Sequence, residues 1–578
     1  MTGSKIVRIG GASGFWGDSM VAAPQLVQLG RLDYLVFDYL AETTMAVLAA
    51  ARARQPELGY ATDFIDLALK PVLGDLKRQR IKVISNAGGI NPHGCAAALR
   101  AMAEAQGIAL RIAIVEGDDV SAQLPEKPLS ANAYLGAAPI AAALAAGAEV
   151  VITGRCVDSA VTLAPLMHEF GWTASDFDLL ASGSLAGHII ECGCQATGGL
   201  HTDWEDIPDW ANIGYPIVEC HADGSFVVTK PEGTGGRVIR AAVAEQLLYE
   251  IGDPGAYLLP DVSCDFRGVT IEQQEDNRVR VSPAKGRAPT PSYKVSATRL
   301  DGYRCAGSLV IVGIDAEKKA RRTAEAIIER TGRILRESGQ VPFTSTYTEV
   351  IGAESLYGPH ARTRDVREAM MRVVADHPQK AALAMFAREI APAGTSWAPG
   401  TTGPGGGRPS VSPLIKPFSF LLDKKAVPVA FVLDGERHAV AVPAGSGDGL
   451  APAAEAPPRW VEPAGAMEEV RLVRLAWARS GDKGNLSNIG LVARRPEWLP
   501  LLWAHVTPEA VRAYFAHLVQ GEVERFYLPG IAAMNLLLHD ALDGGGPSSR
   551  RMDPLGKGMG QMLLDMRIQV PRSIAVLL

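Results

Sequence analysis

Polar side chains and glycines crowd the positions that follow five short β-branched runs. In a parallel α/β sheet those positions share one edge, beyond the carboxyl ends of the strands, where ligands bind. The first such loop is Gly10-Gly11-Ala12-Ser13-Gly14-Phe15-Trp16-Gly17-Asp18. The next carry Asp38, Tyr39 and Glu42; then Asn86, Gly88, Gly89, Asn91 and His93; then Glu116, Asp118 and Asp119; then Gly154, Arg155, Cys156, Asp158 and Ser159. Several carboxylates beside one arginine are general acid/base equipment: one carboxyl can be pushed into its neutral form while another stays ionised. Asp38, Glu42, Asp118, Arg155 and Asp158 are therefore the candidate catalytic residues. Helix capping is the competing reading for Asp118 and Asp158, and a simple ion pair for Arg155.

Glycines in such loops bring backbone N–H groups against an anion or merely permit a tight turn. Gly11, Gly14, Gly88, Gly89, Gly235 and Gly236, together with Asn86, are the candidate substrate-binding positions. The last two glycines belong to Lys230-Pro231-Glu232-Gly233-Thr234-Gly235-Gly236-Arg237. A second glycine loop, Gly400 to Pro409, ends in Gly407-Arg408; neither loop has the Gly-Lys-Ser/Thr ending of a phosphate-binding P-loop. Asp38 lies 21 residues beyond Gly17, where an acidic residue would hold a ribose, so a nicotinamide cofactor is a rival reading.

The run from Glu191 to Asp203 contains Cys192, Cys194 and His201. Cys-x-Cys with one histidine falls short of a four-ligand zinc site. A thiol nucleophile with His201 as base, and small buried cysteines in a tight loop, are both compatible with it. No metal is assigned.

The elements that position these residues follow from periodicity. Strands are expected at 5–9, 34–37, 82–85, 111–115 and 150–153, each followed by a helix, which predicts a mostly parallel sheet. A helix is expected over 131–146, closed by Gly147. From about 261 to 441 the pattern becomes α+β: strands at 278–281, 294–299 and 308–314, then a helix from Asp315 with one apolar stripe, continuing the body of residues 1–260. Residues 442–466 are rich in Pro, Ala and Gly and read as a linker. Residues 467–578 suffice for a small two-layer α+β domain. Its loop Ala478-Arg479-Ser480-Gly481-Asp482-Lys483-Gly484-Asn485 reads as a solvated turn, as a cover for the main crevice or as a subunit contact. Asp553 and the run Gly556-Lys557-Gly558-Met559-Gly560-Gln561 are candidates to face that loop, with no position fixed by the sequence.

Composition narrows the class. A chain of 578 residues, 47% hydrophobic and 21% charged, exceeds one core. Its formal net charge of -6, without a Lys/Arg block, gives no support to nucleic acid or an anionic membrane as partner. A small-molecule substrate is the expected partner, and a homo-oligomer is the expected assembly. There is no signal-peptide pattern or long apolar run, and seven cysteines do not make a disulfide scaffold. A cytoplasmic setting is the expectation.

Taken in order, the loop ending in Gly17-Asp18, Asp38-Tyr39-Leu40-Ala41-Glu42, Asn86-Ala87-Gly88-Gly89, Gly154-Arg155-Cys156-Val157-Asp158-Ser159 and Gly233-Thr234-Gly235-Gly236 resemble the acyclic terpene utilisation family AtuA. The resemblance runs from residue 5 to about 440. The tail with Ser480-Gly481-Asp482-Lys483-Gly484-Asn485 resembles the ferredoxin-like domain often fused to that body. It implies a catabolic enzyme for a branched, oxygenated carboxylic acid or its coenzyme A thioester, working by hydration/dehydration or C–C cleavage. It carries over no catalytic residue set and no cofactor. A non-catalytic subunit of an enzyme complex stays open beside the oxidoreductase.

Overall fold

The computed structural model describes residues 5–126, 128–363, 365–403, 407–461, 463 and 465–578. Five of its strands, β1 (Ile6–Gly11), β2 (Tyr34–Phe37), β3 (Lys82–Ser85), β4 (Ile112–Glu116) and β5 (Val150–Ile152), run parallel in the spatial order β1-β2-β3-β5-β4. Each was legible as a short β-branched run. They are covered on both faces: Ile9, Val36, Ile84, Ala113 and Val151 pack to one side, and Leu35, Phe37, Val83, Ile114 and Ile152 to the other. Such double burial explains why these strands are continuously apolar.

The sheet as a whole is mixed, which corrects the expectation of a mostly parallel one. Beyond β1 lie 217–221, 226–229, 278–281 and 271–275, and beyond β4 lie 430–433 and 436–439, all joined antiparallel. The edges are thus built from hairpins, which need no helical crossover. These outer strands come from both the 1–260 and the 261–441 stretches, so the two share one sheet.

A second, antiparallel sheet is organised around a 21-residue strand, Ser292–Val312. It pairs with Glu368–His377, Val411–Asp423 and Ser130–Ala133. The two strands expected at 294–299 and 308–314 are therefore one, bent by a register shift between Leu300 and Tyr303. Residues 130–133 also depart from the expected helix, which spans only Ala138–Ala145. Strand pairing overrides alanine's helix propensity there: Ala131 and Ala133 fill a fully buried face, and Asn132 hydrogen-bonds Asp118. The helix Ala316–Glu337 lays Ala320, Ala324, Ile327, Thr331 and Leu335 on this second sheet, as its spacing predicts.

The C-terminal region has a four-stranded antiparallel sheet in the order 476–483, 486–493, 533–538, 523–528, with its own core of Leu, Val and Met. A further pair joins 467–471 to 567–571. Among the described residues, no helix is long and apolar enough to cross a membrane.

Candidate functional site

The parallel order of β2, β3, β5 and β4 brings the residues after them to one edge. Asp38 follows β2, Asn86 follows β3, and Arg155 and Asp158 follow β5. The Asn86 amide donates to Asp38 Oδ1, while its oxygen accepts the Tyr39 N–H at 2.7 Å. Arg155 is buried; its Nη1 donates to Asp158 Oδ1 at 2.7 Å and to the Cys156 carbonyl at 2.8 Å. The guanidinium lies 4.0 Å from the Tyr134 ring centre, a cation–π contact, and its Nε has no hydrogen-bond partner among the described residues. Burial opposes the charge on Arg155, but Tyr134, Asp158 and Asp38 outweigh it and hold it protonated. Burial, together with Asp158 and Glu191, drives the Asp38 carboxyl well above its ordinary range.

Glu42 and Asp118 take different places. Glu42 pairs with Lys294 at 3.0 Å; burial would raise its carboxyl, but Lys294, Lys483 and Arg155 together hold it below its usual range. Asp118 stands behind the loop, accepting the Arg155 N–H and the Asn132 amide, both at 2.8 Å. Burial lifts its carboxyl to about 6. A side chain at Gly154 would meet Asp118 Oδ2 at 2.3 Å, so this glycine allows the acid to grip the loop from below. Asp118 orients Arg155 without joining the carboxyls grouped around Asp38.

The candidate glycines serve close packing. The N–H of Gly11 donates to the Pro216 carbonyl, that of Gly14 to Asp18 Oδ2, that of Gly89 to the Asn86 carbonyl, that of Gly235 to Asn212 and that of Gly236 to Pro208. A Cβ at Gly11 would lie 2.3 Å from the Ile190 oxygen, one at Gly14 2.8 Å from the Cys192 backbone, and one at Gly88 2.4 Å from the Thr153 oxygen. The loops therefore press against their neighbours and use their donors there. Of the Gly400 to Pro409 loop, Pro404, Gly405 and Gly406 lie outside the described residues.

What the sequence reading did not assemble is the far wall. Glu191 ends the helix Phe177–Ile190 and contacts His188 Nδ1 at 2.9 Å. Its carboxyl is pushed well up by burial and by Asp158. The His188 imidazole is lowered to about 4 by burial and by Lys483. Glu250 follows helix Arg240–Leu248, and burial raises its carboxyl too. From the C-terminal domain Lys483 comes within 3.6 Å of Glu250, and Lys557 within 3.1 Å. The loop Arg479 to Asn485 is thus a cover for the crevice, at the tip of the 476–483/486–493 hairpin. Lys483 and Lys557 keep 40% and 41% of their side chains accessible, although dense protein surrounds them. Side chains in that situation stand in a crevice. The separation of Glu250, Lys483 and Lys557 along the chain hid this wall; glycines on both sides of Lys557 and next to Lys483 were the only local sign.

The C-terminal domain is fixed in place by buried polar contacts. Asn488 donates to the Leu248 carbonyl at 2.6 Å and accepts the Glu250 N–H at 2.9 Å. Asn535 donates to the carbonyls of Ile251 and Gly252 at 2.8 and 2.7 Å. Asp203 takes both Nη atoms of Arg494 at 2.6 Å and the Trp477 N–H at 2.6 Å. His201 serves the same seam: its Nδ1 lies 2.7 Å from Glu245, which also accepts the Thr202 hydroxyl. Burial and Glu191 push the Cys192 thiol well up, and burial takes Cys194 to about 12, so neither is a ready thiolate. Among the described residues, no group of three or more His, Cys, Asp or Glu is disposed to hold a metal. A cavity of about 680 Å³ between the second sheet and the C-terminal domain is lined by Tyr347, His517, Arg550 and Arg551, and by none of the acids above.

Fold and site define a two-part α/β protein in which a small α+β domain closes a crevice of paired acids and bases. Residues 7–433 match the model of the acyclic terpene utilisation family protein AtuA, and residues 470–569 that of the AtuA ferredoxin-like domain. The chain belongs to the AtuA family, as its loop motifs implied, and the membership points to a role in acyclic terpene utilisation. No curated protein and no solved structure shows a significant match.

Proposed function

We propose that the crevice is the active site of an enzyme acting on a branched, oxygenated carboxylic acid or its coenzyme A thioester, by hydration/dehydration or C–C cleavage. One observation carries the reading: the carboxyls of Asp38 and Glu191 are driven toward their neutral form beside the ion pair of Arg155 and Asp158. Two carboxyls kept as acids and one paired with a cation divide the roles of acid and base. In a dehydration, Asp158 would accept the proton α to the carbonyl, Arg155 would stabilise the enolate, and Asp38 would give its proton to the departing hydroxyl, which leaves as water. Glu42 with Lys294 would border the site, while Asp118 and Asn86 would orient Arg155 and Asp38. The nicotinamide reading is less favoured, because the N–H groups of Gly11 and Gly14 are spent and Asp38 is held by Asn86.

The test is incubation of the full chain with a panel of branched hydroxyacyl and enoyl thioesters and their free acids, products being read by mass spectrometry. Gain or loss of water, or splitting into two smaller acids, is expected. Asp158→Asn should slow it by roughly 10²- to 10⁴-fold with the melting temperature unchanged. A near wild-type rate in that variant makes Asp158 a structural residue. Binding of NAD(P) with no turnover of the panel moves the assignment to an oxidoreductase; turnover only in the presence of a second protein moves it to a subunit.

A further inference from the structure

Three cations of the C-terminal domain converge on two consecutive residues of the body. Tyr249 has Lys557 4.4 Å from its ring centre and Arg479 5.3 Å from it. Lys557 also reaches the Tyr249 hydroxyl and Glu250 Oε1, and Lys483 approaches Glu250 Oε2. Arg479 is only 7% exposed; Nη1 donates to the Leu200 carbonyl at 2.6 Å, while Nη2 has no hydrogen-bond partner among the described residues. Glu245, another carboxylate near Arg479, is spent on His201 and Thr202. Asp482 beside Lys483 is raised to about 8, mainly by burial. Around Lys483 the other acids are Asp158, already paired with Arg155, Glu42, already paired with Lys294, and Glu191. Glu250 is the carboxylate that touches both Lys483 and Lys557, while the buried Arg479 Nη2 is left as a cationic donor that an anion in the crevice would satisfy.

The loops are built to hold these cations still. Ser480 donates to the carbonyls of Gly556 and Lys557 at 2.7 and 3.1 Å and accepts the Gly560 N–H at 2.8 Å. Asp553 accepts the N–H groups of Lys557 and Gly558 at 2.9 and 2.8 Å. One serine therefore ties the Arg479 strand to the Lys557 loop, fixing the spacing of the two cations. The ammonium groups of Lys483 and Lys557 carry three donors each, not all used by Glu250 and Tyr249, and both stand in the crevice.

We propose that Arg479, Lys483 and Lys557 form a carboxylate-binding site, set against Tyr249 and Glu250, that holds the acid group of the substrate. The proposal deepens the functional reading and rests on it for the word substrate. The C-terminal domain then contributes recognition, while the body contributes the acid/base groups.

The test uses the full-length chain and a matched pair of probes, isovalerate and its neutral counterpart isovaleramide, with binding followed by ligand-observed NMR titration. Wild type should bind the carboxylate and discriminate against the amide. Lys557→Met should weaken isovalerate binding about tenfold, close to 1.4 kcal/mol, and Lys483→Met should weaken it in the same direction. Lys557→Arg, which keeps the charge, should stay near wild type, and a common melting temperature shows that all variants fold. Equal binding of acid and amide, unchanged affinity in both methionine variants, or no saturable isovalerate binding by wild type would each overturn the proposal. Asp158→Asn, silent in turnover, should still bind isovalerate. If the thioester panel gives no product while Lys557→Met loses isovalerate, the enzymatic reading falls and the carboxylate site stands.

Discussion

Asn488→Leu isolates the seam on which the crevice depends. Asn488 is 1% exposed and joins the C-terminal sheet to the body through the Leu248 carbonyl and the Glu250 N–H, and to Asn535 within its own sheet at 3.0 Å. Leucine has nearly the same shape and no polar atom, so the substitution strands one N–H, one carbonyl and one amide oxygen in a dry interface. Each stranded group costs about 1–3 kcal/mol. Taking the lower end for all three, docking weakens by about 3 kcal/mol, on the order of a hundredfold in the opening equilibrium. Hydrogen–deuterium exchange reads this directly. Protection should fall by about that factor in peptides covering 246–252 and 486–492, and stay unchanged in β2 and β3, which lie in the body core. Protection retained within a few-fold at the seam would refute the reasoning, because it would mean that the apolar contacts hold the domain and the asparagine adds little.

Two further outcomes follow from buried acids. Asp118 has its carboxyl raised from 3.8 to about 6, so the folded state holds a proton that the unfolded chain gives up; the associated stability is full below pH 4 and is lost as the pH rises through 6. The upper bound is about 3 kcal/mol, and Asp118→Asn should flatten the fall of melting temperature between those pH values; an identical pH profile would count against it. Glu245→Leu removes the hydrogen-bond partner of buried His201 and the acceptor of Thr202, a loss of about 1–3 kcal/mol for each group left unsatisfied. Thermolysin should then cut the variant near exposed Leu200 faster than wild type, and equal cleavage rates would show that Asp203 alone anchors the segment.

The strands of the body were legible because each is short, β-branched and buried on both faces, and the carboxyl-end rule then placed Asp38, Asn86, Arg155 and Asp158 at one edge. Periodicity could not say how those strands would be flanked, since a hairpin edge such as 217–229 and a parallel strand have the same apolar composition. Residues 130–133 show propensity losing to tertiary pairing, where alanines suit a crowded strand face as well as a helix. The glycine loops are ambiguous for a physical reason. A glycine that admits an anion and one that admits a neighbouring backbone look identical in sequence, and only the partners of their N–H groups distinguish them. Lys483 and Lys557 were visible as residues in polar, glycine-rich loops; their target, Glu250, was not, because it lies more than 200 residues away and in a helix end without any motif.

Domain docking and proton binding are one equilibrium in this arrangement. Glu250 of the body acts electrostatically on Asp482 of the C-terminal domain, and burial raises both carboxyls. Separated, each would meet water and return toward an ordinary carboxyl. The docked form therefore binds these protons more tightly, so docking is favoured at low pH and loses that contribution as the pH rises through the docked values. Lys557 acts in the opposite direction: burial lowers its ammonium group to about 8, so docking at higher pH favours the neutral amine. A bound carboxylate would hold Lys557 in its charged form. An acid ligand should consequently tighten the seam as well as occupy the crevice, because it supplies the acceptor that Arg479 Nη2 lacks and further hydrogen bonds to Lys483 and Lys557.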